Sequence, residues 1–264
     1  MIKKIALILA IAAASSFATW DKYAPLDAGT FQLRVFALDR WVDDASESEV
    51  SIGARYTIIQ GLEVGIHTVG FTIWSYDNSE SFNETDTETG LSPLEVGVRY
   101  FLPINLGFFL DVSLPTGDED MFPNSFSFHE GLQYSVQPVD AFKIGAEAGL
   151  KVFSTADRNS VDINQGTELN LGTEFKYTFG LVAPLVGFDY ISRLTETKTK
   201  YETEEGSSET YKWNNDDSGI TFRTGLDLIF NQTFTLGARF QMQTGDYYGD
   251  DMILGASTVF LITL

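Results

Sequence analysis

Leu94 to Leu114 reads LEVGVRYFLPINLGFFLDVSL, two alternating arms around Pro103-Ile104-Asn105. Leu94, Val96, Val98, Tyr100 and Leu102 alternate with Glu95, Gly97, Arg99 and Phe101. Leu106, Phe108, Leu110, Val112 and Leu114 alternate with Gly107, Phe109, Asp111 and Ser113. Period two sends successive side chains to opposite faces, so each arm is a strand with one apolar face and one polar face. Each arm runs about nine residues, which is the length a tilted strand needs to cross a bilayer. One such hairpin also suits a soluble sandwich. What constrains the chain is that the pattern repeats to its end.

Val50, Ile52, Ala54, Tyr56 and Ile58 stand against Ser51, Gly53, Arg55 and Thr57. Leu62, Val64 and Ile66 stand against Glu63, Gly65 and His67. The apolar phase then slips to Val69, Phe71 and Ile73, which predicts a bulge near Thr68 to Gly70. Further alternating runs cover 30–39, 128–136, 142–152, 168–179, 181–194, 220–230, 234–242 and 252–264. Pro184 interrupts one of them and predicts a bulge or a local break. About twelve strands result, an even number as in bacterial single-chain barrels. Their connections alternate short (Gln60, Pro103, Gln137, Gly180, Asn231) and long. The long ones are 40–49, 75–90, 115–126, 155–166, 195–217 and 245–251, all read as loops. A transmembrane antiparallel up-and-down β-barrel has such connections, short on one side and long on the other. The fold class is therefore all-β. Strand glycines fall on the polar face. Aromatics fall near strand ends, among them Tyr100, Phe142 and Tyr177 at the short turns and Trp74, Phe153 and Tyr190 at the long loops, as two outward girdles.

Met1-Ile2-Lys3-Lys4, the apolar run Ile5–Ala14 and Ser16-Phe17-Ala18 have the form of a cleaved signal peptide, residues 1–18. Residues 19–264 then form the exported barrel, located in the outer membrane of a diderm bacterium. The 264 residues contain no cysteine, so no disulfide stabilises the product.

Net charge is −20, which argues against a nucleic-acid partner. The excess acid lies in the long connections: Asp77, Glu80, Glu84, Asp86, Glu88; Asp118, Glu119, Asp120; Glu202, Glu204, Glu205, Glu209; Asp246, Asp250, Asp251. Such loops favour cationic or neutral solutes at the mouth. They also offer oxygen ligands to divalent cations at the lipopolysaccharide surface. The strands carry a nearly balanced inner set. Its candidate pore-lining cations are Arg34, Arg55, Arg99, Lys143, Lys176, Arg223 and Arg239, together with Lys151. The anions are Glu63, Glu95, Asp111, Glu147, Glu174, Asp189 and Asp227, together with Glu168. Cross-strand spacing allows them to pair. Twelve strands lie between small filled barrels and open porins, so the expected lumen is narrow. The alternation places no aromatic-rich surface inside it.

His67 and His129 are the two histidines. Ser125 and Ser127 lie near His129 but without a nucleophile-elbow pattern, so an enzyme is not expected. No phosphate loop or metal-ligand spacing occurs, so neither cofactor nor metal is expected.

Leu114-Pro115-Thr116-Gly117-Asp118 closes a strand and opens a long loop. It resembles the LPTGD element of an outer-membrane transporter family named for the meta pathway of phenol degradation. The resemblance implies an uptake channel for hydrophobic or aromatic compounds. The residues themselves support passive passage of small solutes through a charged lumen. Their alternative is a closed structural or surface-binding barrel that works through its acidic loops.

Overall fold

The computed structural model describes residues 21–42, 45–78, 84–118, 121–122, 125–158, 161–202, 208–213, 217–248 and 252–264. The expected signal peptide and the acids Glu80, Glu119, Asp120, Glu204, Glu205, Asp250 and Asp251 lie outside these residues.

Seventeen strands run through them: β1 Phe31–Val42, β2 Ala45–Ile59, β3 Leu62–Asn78, β4 Glu84–Leu91, β5 Glu95–Phe101, β6 Leu106–Ser113, β7 Ser127–Val139, β8 Phe142–Phe153, β9 Ala156–Arg158, β10 Val161–Asn164, β11 Thr167–Tyr177, β12 Val182–Arg193, β13 Thr197–Glu202, β14 Ser208–Trp213, β15 Ser218–Ile229, β16 Phe234–Thr244 and β17 Ile253–Thr263. Twelve of these form a ring of antiparallel neighbours in the order β1, β2, β3, β5, β6, β7, β8, β11, β12, β15, β16, β17. Pairing of β1 with β17 and of β2 with β3 closes it, so the ring has no free edge.

Burial is inverted relative to a water-soluble protein. Val50, Ile52, Val69, Phe108 and Phe188 point outward and are each about half exposed, while Arg40, Arg99, Glu47, Glu168 and Gln133 are almost fully enclosed. Long charged side chains are almost never buried in a core unless paired. An outer surface this apolar needs hydrocarbon around it. Strands of about twelve residues, tilted about 40°, span roughly the thickness of that layer.

The twelve alternating runs are thus barrel strands, but four expected loops carry strand structure. Residues 40–49 mostly extend β1 and β2, with Arg40 opposite Glu47. Within 75–90, β3 continues to Asn78 and β4 pairs back onto it. Residues 155–166 and 195–217 contain β9, β10, β13 and β14, which form a separate four-stranded sheet in the order β14-β13-β10-β9. Their polarity concealed this, because strands outside the membrane need no apolar face. The bulge or break expected at Pro184 is absent. Register runs unbroken through Pro184 opposite Leu226, and pairing with β11 ends at Leu185, so the missing amide lies past that ladder. The bulge in β3 is present, one residue earlier than expected. The β5 partner register shifts between Ile66 and Thr68.

Candidate functional site

The lumen is built from the inward residue of each alternation, and segment 21–29 enters it from the short-turn end. Gly29 donates its amide to the Thr57 carbonyl at 2.7 Å, anchoring the segment beside the β2–β3 turn. Beyond that anchor Lys22 and Tyr23 are buried. Asp21 pairs with Arg55 at 3.0 Å and Arg99 at 3.6 Å, and Arg99 also donates to the Asp21 carbonyl at 3.0 Å. Glu63 binds the same two guanidiniums, Arg55 at 3.6 Å and Arg99 more closely. Lys22 reaches the far wall, where it pairs with Asp189 at 2.9 Å. Arg55 and Arg99 stand on β2 and β5, whereas Asp189 stands on β12, five or more strands away around the ring. Two consecutive residues therefore bridge opposite walls. Burial works to raise the Asp21 carboxyl pKa, but Arg55 and Arg99 overcome it and hold the group well below the usual carboxylate range.

The wall makes room for this crossing. A methyl group at position 145 would run into the Lys22 carbonyl, and one at 172 into the Lys22 side chain. The inward glycines seen in the sequence here serve as a cradle for a segment that carries no periodicity of its own.

Other inner charges are also paired. Arg223 binds Asp189 at 2.7 Å, and Asp227 sits between Lys176 and Arg239 at 2.5 Å from each. Gln133 donates to Glu147 at 2.6 Å. Arg34 donates to the His67 carbonyl at 3.2 Å. Glu174 faces Tyr23. Glu95 and Asp111 gather around His67. Lys143 stands opposite Lys176 near the short turns and is exposed. Toward the long loops, Arg40 pairs with Glu47 at 3.1 Å, and Arg193 binds Asp217 at 3.1 Å and Glu168 at 3.8 Å. Lys151 is buried on β8, 5.1 Å from the Phe153 ring centre.

The long-loop end is closed by apolar groups. Trp74, Met121, Phe122, Ile191, Tyr247, Tyr248 and Ile253 form one buried cluster. Trp74 therefore points inward, not into an outer girdle, and this end of the lumen is aromatic. The Leu114–Asp118 motif aims part of it. Thr116 accepts the Leu94 amide at 2.9 Å, and the Asp118 carbonyl accepts the amides of Met121 and Phe122 at 3.1 and 2.8 Å, turning that loop into the barrel mouth. Tyr247 donates to Glu168 at 2.6 Å under the Arg193 guanidinium, and the Tyr248 and Thr221 hydroxyls are 2.9 Å apart.

Between the two closures lies a cavity of about 200 Å³. Arg34, Lys176, Arg223 and Arg239 line it together with Glu49, Glu95, Glu174 and Asp227, and Phe36, Leu38, Leu185, Val259 and Leu261 supply apolar surface. That inward apolar surface was invisible in the sequence, where both phases of β1 and β17 are apolar. His129 packs edge-on to Phe109 with ring centres 4.8 Å apart, and neither of its nitrogens makes a hydrogen bond.

A closed twelve-stranded antiparallel barrel with an apolar exterior and a charged interior defines a β-barrel of the outer-membrane kind. The chain belongs to the family described as "Putative MetA-pathway of phenol degradation", whose sequence profile matches residues 11–247. Its fold is similar to that of an outer membrane channel from Pseudomonas putida F1, with a TM-score of 0.66 and 12% identity over 93% of this chain and 99% of that one. It is also similar to the β domain of the Bordetella autotransporter BrkA, with a TM-score of 0.55 and 13% identity over 90% of this chain and 100% of that one. A deletion mutant of the monoaromatic hydrocarbon channel TodX gives a TM-score of 0.51 and 10% identity over 90% of each chain. No curated protein sequence matches.

Proposed function

We propose that this protein is a passive channel of the outer membrane, closed at both ends of its lumen in the form described here. The observation that carries this reading is the cavity between the two closures. A barrel that served only as a scaffold would gain by filling that space with side chains. A lining of charged residues of both signs with apolar side chains among them suits a small solute with a polar end and an apolar body. The hydrocarbon specificity named for TodX supports the apolar half of that description. The candidate residues Arg34, Glu95, Glu174, Lys176, Arg223, Asp227 and Arg239 would contact such a solute. Arg55, Glu63, Arg99 and Asp189 act instead by holding the segment that blocks its way. The acidic outer loops bias entry against anions.

A second reading, a sealed barrel that works through its loops, is favoured by the extent of charge pairing. Planar-bilayer recording separates the two. The wild type is compared with a variant that lacks residues 21–26 and carries Tyr247→Ala and Tyr248→Ala, both shown to be folded by heat-modifiable gel migration. Discrete conductance steps in the variant are expected. A folded variant that leaves the bilayer tight would overturn the channel reading in favour of the sealed barrel.

A further inference from the structure

The pairing of β3, β5 and β6 brings together, beside the β3 bulge, three groups that lie far apart in the sequence. His67 faces the lumen in phase with Glu63 and Gly65, and it sits at the bulge, between Ile66 and Thr68, in the wall beside β5. His67 Nδ1 lies 3.6 Å from Glu95 Oε1 and 3.5 Å from Asp111 Oδ1. Ligand atoms of all three lie within 4.8 Å of one another. All three side chains are buried, Asp111 almost completely. Neither Asp111 oxygen accepts a hydrogen bond, and Glu95 Oε1 accepts none either. Position 97, between these groups, is glycine, and a methyl there would collide with Asp111 Oδ1 and come within 2.7 Å of His67 Nε2.

We propose that His67, Glu95 and Asp111 form a binding site for a divalent first-row transition cation, with zinc as its probe. Three features carry the assignment. The first is spacing. Two ligands about 2.1 Å from a tetrahedral ion are about 3.4 Å apart, close to both histidine–carboxylate distances here. The second is charge. Two enclosed carboxylates are costly unless compensated, and a dication neutralises both where a protonated imidazole neutralises one. The third is access. Glu95 also lines the 200 Å³ cavity, so an ion can enter from the lumen and keep a water on its open side. One nitrogen and two carboxylates favour a borderline ion over calcium or magnesium, which prefer all-oxygen shells. This site is distinct from the acidic outer loops. Bound metal would tie β3, β5 and β6 together at the bulge and neutralise the two carboxylates there.

Zinc titration of the refolded, chelator-stripped full chain by calorimetry tests the site, with no reference to conductance. One zinc equivalent is expected to bind the wild type. Its affinity should fall about tenfold or more in Asp111→Asn and His67→Gln, with gel migration unchanged. Loop carboxylates should bind equally in wild type and variants. Should the variants fail to fold, X-ray absorption of the zinc-loaded wild type decides the matter. It is expected to show one imidazole nitrogen and oxygens at about 2.0–2.1 Å. No stoichiometric zinc, an affinity unaffected by His67→Gln, or a shell of oxygens alone would overturn the proposal.

Discussion

The two ends of the lumen are closed by opposite chemistries. At the short turns a segment of the chain crosses the barrel and is held by charge, with Asp21 on Arg55 and Arg99 and Lys22 on Asp189. At the long loops the closure is aromatic and packed, with Tyr247, Tyr248, Phe122 and Trp74 against Ile191 and Ile253. An ionic closure depends on every partner being present, because removing one leaves a buried charge uncompensated at a cost of about 3–5 kcal/mol. An apolar closure depends on volume and loosens gradually as side chains are trimmed. The lumen thus has one barrier that responds to charge and another that responds to packing, arranged in series.

Series barriers make a demanding prediction. Opening both ends, by deleting 21–26 in the Tyr247→Ala/Tyr248→Ala background, should raise conductance several-fold more than the two single-end changes added together. Simple additivity in bilayer recordings would show that the ends are independent leaks and would break the comparison.

Next in size is the separate effect of pH on each end. The Asp21 carboxyl is held below its ordinary value, so its contribution is present above about pH 4 and is lost as pH falls through its lowered value. Burial pushes the Tyr248 phenol up to about 12. Its contribution is complete below the ordinary tyrosine value of about 10 and is lost as pH rises from there through about 12. Closure should therefore be flat from about pH 4 to about pH 10. Release in acid should vanish in the 21–26 deletion and release in alkali should vanish in the tyrosine double variant, read as open probability. Loss of closure near neutrality would contradict both assignments.

The smallest expected effect sharpens the picture of the ionic end. Gly145→Ala places a methyl against the Lys22 backbone, which cannot yield without moving the segment. Gly172→Ala meets side-chain atoms alone, the flexible end of Lys22 and the Asp189 carboxylate. Open-channel noise should rise in Gly145→Ala and stay near wild type in Gly172→Ala. Equal behaviour would mean that the segment is not seated as described.

The ionic end was partly legible and the apolar end was not. Arg55, Glu63, Arg99 and Asp189 could be named because an inward strand position recurs every second residue, so alternation alone identifies them. Asp21 and Lys22 read as an unstructured lead, because nothing in an aperiodic segment says which cavity it will enter. Trp74 was placed on the wrong side because it was assigned by its nearness to a strand end, although the slipped phase of Val69, Phe71 and Ile73 turns it inward, and Tyr247 and Tyr248 sit in a loop whose fold depends on Gly219 and Glu168 from other strands.

Taken alone, the sequence determined the barrel. A period of two, one apolar face and alternating connection lengths are local properties, and closing such strands around their polar face in lipid is the arrangement that satisfies the backbone. The tertiary structure decided what occupies the interior. Asp21 meets Arg99, and His67 meets Glu95 and Asp111, only after ring closure and strand register bring distant positions together. Those depend on long-range pairing, which no local pattern encodes.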